Sequence, residues 1–332
     1  MHEPGFWWRK AGLASALLSP LAAVYGAVAA RRMTRSGARA GLPVICIGNF
    51  TLGGAGKTPT AIAVARLLRE GGEQAVFLTR GYGGNASGPK PVDAETDSAA
   101  MVGDEALLLA RVAPTMLARD RVAGASAAKA NGAEVIVMDD GLQNASLAKD
   151  FTLAVIDGRR GIGNGCVFPA GPLRAPLAAQ LARIDALLVV GDGDAARDVA
   201  DAARTRRLPV WHGRLVPDAH AVANLKTRPV LAFAGIGNPD KFFTTVAEAG
   251  LSLAVTQAFA DHHRYTAEDA ADLVMRAEHN GWALITTEKD HARMTGDPAL
   301  AALAQRAHVL PVTMRIDEMT ELKTALRKAL GR

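Results

Sequence analysis

The stretch from Val44 to Pro59 runs strand, glycine-rich turn and helix start in immediate succession. Val44-Ile45-Cys46-Ile47 is apolar and largely β-branched. Gly53, Gly54 and Gly56 crowd the turn, and Lys57-Thr58 leads into the helical pattern Ala61-Ile62-Ala63-Val64-Ala65-Arg66-Leu67-Leu68. A phosphate-binding loop needs that order: glycines let backbone N–H groups curl toward phosphate oxygens, and the helix dipole adds to the pull. The predicted nucleotide cradle is therefore Thr51, Leu52, Gly53, Gly54, Ala55, Gly56, Lys57 and Thr58. Lys57 is expected at the β/γ-phosphates and the Thr58 hydroxyl on Mg²⁺. The general pattern asks for glycine at position 51, where this chain has Thr51. A plain strand–turn–helix is the bland alternative, and the Gly-Lys-Thr ending weighs against it.

Apolar strands continue to alternate with helical patterns after the loop, which predicts an α/β fold with a parallel sheet and active loops at the strand C-termini. Expected strands are Ala75–Thr79, Pro114–Ala118, Val135–Met138, Phe151–Ile156, Ala186–Val190 and Val210-Trp211. A second, smaller α/β unit starts near Arg228. It has strands at Val230–Gly235, Leu253–Phe259, Trp282–Thr287 and Val309–Thr313, and helices at Pro239–Ala249 and Ala267–Asn280. The division expected is 1–35 as a membrane-associating segment, 36–225 as a P-loop domain and 226–332 as the smaller domain, with the active site in the cleft between the last two.

Candidate chemistry collects at predicted strand ends. Asp139-Asp140 ends an apolar strand as a Walker B element does, where a carboxylate holds Mg²⁺ beside Thr58; solvated turn acids are the competing reading. Asp104 stands at a loop–helix junction, as a helix cap or as a carboxylate that takes a proton from an attacking hydroxyl. Asp261-His262-His263 follows a strand of the second unit. No third ligand spacing supports zinc there, so acid–base work suits it better than metal binding. Arg80, Arg119, Arg121, Arg159, Arg160 and Arg174 recur at strand ends or in glycine-rich loops. Guanidinium forks match phosphates, so Arg80, Arg119, Arg121 and Arg174 are the substrate-binding candidates, against a reading of each as a surface charge. In Gly235-Ile236-Gly237-Asn238-Pro239, Asn238 is expected to cap a helix with Pro239 first. Thr286-Thr287-Glu288-Lys289-Asp290 is cleft-lining by position and unassigned.

The N-terminus adds a different element. Phe6-Trp7-Trp8-Arg9-Lys10 precedes Ala11–Ala30, an uncharged run closed by Arg31-Arg32. A signal peptide has the right ending, but export would carry an ATP loop to a place without ATP. A spanning helix has the length, though small and polar residues weaken it. A helical hairpin broken at Pro20 is a third reading. An interfacial helix fits best: tryptophans at headgroup depth, with Arg9, Lys10, Arg31 and Arg32 on anionic lipid. The net charge of +5 suits anionic partners, while the absence of an aromatic-interleaved basic stripe or zinc-finger spacing speaks against nucleic acid. Two cysteines build no disulfide framework or metal site, which fits a reducing cytoplasm, and Cys46 reads as a core residue.

Together, GNFTLGGAGKTP, TRGYGG, VGDEALLLA, MDDGLQ, GNGCVFPAGPLR, GIGNPDKFF, ADHH and TTEKD, in this order over nearly the whole chain, resemble the tetraacyldisaccharide 4′-kinase (lipid A 4′-kinase) family. That family's P-loop normally lacks the first glycine, which accounts for Thr51. The resemblance implies a P-loop NTPase-like kinase on the cytoplasmic face of the bacterial inner membrane, peripheral or monotopic. It would transfer the γ-phosphate of ATP to the 4′-hydroxyl of an acylated glucosamine disaccharide 1-phosphate, with no protein partner evident. By the same resemblance Lys57 and Thr58 bind ATP·Mg²⁺, Asp139 and Asp140 belong to the metal site, and Asp104 with His262 forms the acid–base pair. His263 does not match. Where the family commonly has glutamate after GPLR, this chain has Ala175, which leaves that role empty or filled by another acid.

The competing functional class is a membrane-associated P-loop ATPase or GTPase of switch or metallochaperone type. Its dimeric group places a second lysine just before the two glycines, and Leu52 occupies that position here.

Overall fold

The computed structural model describes residues 3–332. The chain forms two sheets. Strands β1 (Val44–Asn49), β2 (Ala75–Thr79), β3 (Lys90–Pro91), β4 (Thr115–Leu117) and β5 (Val135–Asp139) are followed by β6 (Phe151–Asp157), β7 (Ala186–Val190) and β8 (Val210–Pro217). Then come β9 (Val230–Ala234), β10 (Leu253–Ala258), β11 (Ala283–Thr286), β12 (Ala307–Val309) and β13 (Val312–Ile316). The larger sheet has the order β13-β8-β7-β6-β1-β5-β2-β4-β3, and the smaller has β10-β9-β11-β12. Every pairing is parallel except β13 with β8 and β3 with β4, both at the edges. Central strands β1, β2, β5, β6 and β7 are buried at every residue, as strands covered by helices on both faces must be.

Register puts the chemistry in one place. On β1, Ile47 pairs with Asp139 of β5, so the acid at the end of β5 emerges beside the loop that leaves β1. The loop helix, Lys57–Glu70, buries Ala61, Val64, Ala65 and Leu68 on the sheet.

The division of the chain differs from expectation at its end. The predicted strand Val309–Thr313 is two strands separated by Leu310-Pro311. The first, β12, closes the smaller sheet, whereas β13 returns to the larger one beside β8. Met314, Ile316, Leu322 and Leu326 then pack into the larger domain's core against the loop helix. An uninterrupted apolar run hides this crossover. The predicted strand at Val210-Trp211 extends to Pro217 because β13 supplies its second neighbour. Loop residues before β4 fold onto the sheet edge as β3, held by Lys90 on Asp97 at 2.5–2.6 Å.

At the N-terminus, Leu13–Met33 is one continuous helix through Pro20, which removes the hairpin reading. It is the one described helix long and apolar enough, by length and composition, to cross a membrane, with mean hydropathy 1.7. Ser15, Ala22, Gly26 and Met33 are buried against the body, while Leu13, Leu17, Leu21, Val24 and Val28 form an exposed stripe on another face. The tryptophans depart from their predicted headgroup position. Trp7 is buried, edge-on to Phe168, with its indole N–H donated to the Pro169 carbonyl at 3.1 Å. Trp8 donates to Glu3 Oε2 at 2.9 Å and lies under the Arg160 guanidinium, 4.6 Å from the ring centroid. Aromatic rings followed by basic residues read the same way whether they meet lipid or a loop of the same protein.

Candidate active site

The phosphate loop takes its shape from left-handed glycines. Gly53 has φ +89° and Gly56, the residue before the helix, has φ +99°, a region that side chains disfavour. Lys57 opens the helix with its ammonium buried, 3.5 Å from the Gly53 carbonyl and 3.8 Å from Asp140 Oδ1. Burial lowers the Lys57 pKa, and the Asp140 charge opposes that shift.

The adjacent acids divide their work. Thr58 Oγ1 donates to Asp139 Oδ2 at 3.3 Å, and Asp139 Oδ1 is buried with no partner. Burial, with Glu105 and Asp140 nearby, pushes the Asp139 carboxyl up to about 7. Asp140, at φ +53°, turns the other way and accepts from Arg174 at 2.6 Å. Burial would raise the Asp140 pKa, but Arg174 and Lys57 outweigh it and hold the carboxyl well below the usual range. Arg174 also donates through Nε to the Thr51 carbonyl at 2.9 Å. It therefore braces the phosphate loop to Asp140, a different partner from the substrate phosphate expected of it. Asp139 and the Thr58 hydroxyl form a hard oxygen pair with one unpaired buried oxygen, a donor set that fits Mg²⁺. No cluster of three or more His, Cys, Asp or Glu suited to a metal occurs among the described residues.

On the larger sheet's side of the cleft, Asp104 is the first residue of its helix, Asp104–Ala110, and the N-cap is Gly103 at φ +87°. Its carboxylate accepts the Glu105 N–H through Oδ1 at 2.9 Å, the local contact expected of an acid at a loop–helix junction. It is 3% exposed and receives Arg293 Nε at 2.7 Å on the oxygen that faces His262 Nδ1 at 3.4 Å. Burial would raise the Asp104 pKa, but His262, Arg293 and Lys289 drive it far below the usual carboxylate value. Burial would lower the His262 pKa, yet Asp104 more than compensates, and the ring is more basic than ordinary histidine. His262 sits at φ +54°, with its backbone N–H on the Gly235 carbonyl at 3.0 Å and the Tyr82 ring 4.8 Å from its own. A Cβ on Gly84 would strike the backbone at Met101–Gly103, so the Gly81–Gly84 turn meets the Asp104 turn backbone to backbone. His263 is spent elsewhere, stacked on Phe259 and 2.9 Å from Asp269.

The family model for tetraacyldisaccharide-1-P 4′-kinase matches residues 14–331. The chain belongs to the tetraacyldisaccharide 4′-kinase family. It is an enzyme, a kinase of lipid A biosynthesis. The tetraacyldisaccharide 4′-kinase of Nitrobacter winogradskyi is 52% identical over 332 residues, covering 100% of this chain and 98% of that protein. That of Rhodopseudomonas palustris is 55% identical over 323 residues, covering 97% and 94%. A solved structure of LpxK from Aquifex aeolicus, described as an "apo" form in complex with ATP, superposes with TM-score 0.73 at 22% identity, covering 96% of this chain and all of that one; it attests the fold.

Sequence reasoning on this kinase missed the cations that hold the pair. Arg293 reaches Asp104, the Gly235 carbonyl at 2.7 Å and Asp290 at 3.0 Å, and its remaining NH2 is buried without a partner. Lys289 binds Glu105 at 2.6 Å, and the Glu105 charge in turn raises Asp139. Asp290 is fully buried and collects Tyr265, Thr287 and the Gly235 N–H. The signal available was position: all three follow β11, whose C-terminal end faces the cleft. Of the remaining arginines, Arg121 is buried and donates to the Ala118 carbonyl at 3.0 Å, a structural placement unlike its predicted one. Arg80 and Arg119 are exposed, Arg119 donating to the Gly84 carbonyl at 3.3 Å.

Proposed function

We propose that this kinase transfers the γ-phosphate of ATP to the 4′-hydroxyl of an acylated glucosamine disaccharide 1-phosphate, with His262 as the base and Asp104 as the group that orients it. The observation that carries this reading is the Asp104–His262 contact. Asp104 faces Nδ1, which fixes the proton there and leaves Nε2 with a lone pair for the acceptor hydroxyl. Asp104 itself is a poor proton acceptor because Arg293 holds it ionised. Its charge instead stabilises the imidazolium that forms.

Lys57 and the loop amides of Gly53–Thr58 would hold the β/γ-phosphates. Thr58 and Asp139 would hold Mg²⁺, which when bound neutralises the charge that develops between the β- and γ-phosphates. Arg174 keeps Asp140 and the Thr51 carbonyl in place, and Asp140 positions Lys57. Arg80 and Arg119, exposed at the mouth of the site, are the cations free to meet the acceptor's own phosphate. Phosphoryl transfer then needs little beyond positioning, charge neutralisation and one base.

Docking of the long helix along the protein supports an interfacial placement on the cytoplasmic face, with exposed Leu13, Leu17, Leu21 and Val24 toward acyl chains. A spanning role would require that helix to leave the body. The decisive assay mixes purified protein, ATP, Mg²⁺ and the disaccharide 1-phosphate acceptor and resolves products by mass. A lipid heavier by one phosphate, formed only with Mg²⁺, is the expected product; acceptor-independent ATP hydrolysis without that lipid defeats the reading.

A further inference from the structure

The carboxylate of Glu3 lies against the phosphate loop. Its Oε1 stands so close to Gly53 that a Cβ there would collide with it, and this buried oxygen finds no hydrogen-bond partner among the described residues. Oε2 accepts from Arg160 at 3.1 Å and from the Trp8 indole N–H at 2.9 Å. Arg160 also donates to the Gly237 carbonyl at 3.3 Å, and Gly237 is itself packed on Gly53 and Gly54. The cleft between Trp8, Gly53, Gly54, Asp157 and Arg160 has a volume of about 10 Å³, room for a single water. We infer that Glu3 is an intramolecular competitor of the terminal phosphate of ATP, and that Arg160 is the cation for which the two compete. The inference rests on the reading that the phosphate loop holds ATP, and adds to that site a ligand and a restraint.

Chemistry, position and the weakness of the hold all point the same way. A guanidinium receives carboxylate and phosphate oxygens in the same geometry, so Glu3 presents to Arg160 what a phosphate would. Position assigns which phosphate. The Lys57 ammonium is 3.5 Å from the Gly53 carbonyl, and the lysine of such a loop goes to the β/γ-phosphates, so Gly53 marks the terminal end of the cradle. Asp261, next to His262, is near enough for its charge to act on Glu3, which puts Glu3 on the acceptor's side of the loop. The hold on Glu3 is weak. Burial raises its pKa more than Arg160 and Trp8 lower it, and Asp261 adds to the rise. A terminal phosphate brings more charge and more acceptor oxygens to the same guanidinium. A simple tie for the N-terminal segment would account for Oε2, but not for an unpaired oxygen pressed on Gly53. That segment is fixed independently by Trp7, which is buried and accepts the Asn164 N–H on its carbonyl at 2.7 Å. Glu3 can therefore swing away without undocking it.

The test titrates full-length protein in neutral detergent and Mg²⁺ with a non-hydrolysable ATP analogue and with ADP, followed by calorimetry. Glu3→Gln keeps the shape of the side chain and removes its charge. It should tighten the analogue at least about fivefold and ADP by less than about twofold, because apparent affinity is reduced by the fraction of protein able to bind. Arg160→Gln should weaken the analogue at least about tenfold and leave ADP unchanged, with Arg160→Lys in between. A purely structural tie would shift both nucleotides together. That result, or unchanged analogue binding in Glu3→Gln, overturns the inference. Trp8 reports the exchange in the unaltered protein, because it donates to Glu3 and lies under Arg160. Its emission, taken as the part lost in Trp8→Phe, should move with the analogue and not with ADP. No movement, or equal movement with ADP, overturns the exchange. Lys57→Ala separates this inference from the reading beneath it. Nucleotide binding that survives Lys57→Ala puts ATP elsewhere and overturns both, whereas binding lost in Lys57→Ala but indifferent to Glu3 overturns the competition alone.

Discussion

Arg293 donates its Nε–H to Asp104 at 2.7 Å, on the same carboxylate oxygen that faces His262 Nδ1 at 3.4 Å. One oxygen thus serves a permanent cation and a titratable one. The permanent cation keeps the carboxylate charged in a site where burial favours the neutral acid, and the charge is what makes the imidazole basic. Arg293 comes from the smaller sheet's side of the cleft and Asp104 from the larger's, so the contact joins the two sides.

Arg293→Gln is expected to lower kcat by at least about tenfold, since the pair loses both its charge setting and its anchor. Breaking a buried pair also destabilises, by about 3–5 kcal/mol, so melting should be measured alongside kinetics. Arg293→Lys retains the charge but not the fork to Gly235 and Asp290, and should fall between the two. A folded Arg293→Gln protein with normal kcat would show that Asp104 needs no fixed cation.

The dyad sets the direction of the pH dependence. His262 must be neutral to accept a proton, and its pKa is raised, so kcat/KM falls as pH drops through a value above the ordinary 6.5. Asp104→Asn removes the charge that raises it. The acid limb should then move to lower pH while turnover falls by at least about a hundredfold. A limb that stays in place in Asp104→Asn would assign that proton to another group.

Neighbouring acids should fail differently. Asp139→Asn removes the carboxylate charge and replaces one of its two oxygens, either the acceptor of Thr58 or the unpaired buried one, so the Mg²⁺ concentration for half-maximal rate should rise at least about tenfold. Asp140→Asn strands Arg174 and frees Lys57, so the expected signature is a lower melting temperature and weaker ATP binding with unchanged Mg²⁺ dependence. Lys57→Ala should cut turnover by at least about a hundredfold without unfolding. Titration of the three variants against Mg²⁺ and ATP separates these outcomes.

The legible parts of this protein were those set by short-range pattern. An apolar strand, three glycines and Lys-Thr dictate the phosphate loop because each residue type acts within a few positions of its neighbours. Asn238 likewise caps its helix, with Pro239 first, as the local pattern requires. Contacts over long separations were not legible. Arg293 and Asp104 lie 189 residues apart, and apart from its place after β11 nothing local to Arg293 distinguishes it from a surface arginine. The Leu310-Pro311 crossover is invisible because a strand that changes sheets keeps its apolar character. Trp7 and Trp8 misled for a related reason: an amphipathic ring satisfies itself equally in a headgroup layer or beneath Arg160. The pairing of Asp104 with His262 came from resemblance to the family, since spacing alone brings nothing from opposite sides of a cleft together.

The helix Leu13–Met33 offers the remaining test because its two faces do different things. Its buried face, Ser15, Ala22, Gly26 and Met33, belongs to the body of the protein, so deleting the helix would confound unfolding with release. Leu17 and Leu21 stand one turn apart on the other face, 80% and 63% exposed, and touch little of the protein. Leu17→Glu with Leu21→Glu should leave the fold intact, because no core contact is removed. Each carboxylate would oppose insertion into the acyl layer and repel anionic headgroups. The double variant should therefore leave phosphatidylglycerol vesicles for the supernatant in a sedimentation assay, with an unchanged melting temperature. Its turnover should fall on acceptor presented in vesicles and persist on acceptor dispersed in neutral detergent. Retention on the vesicles would mean that the exposed stripe is not the membrane contact.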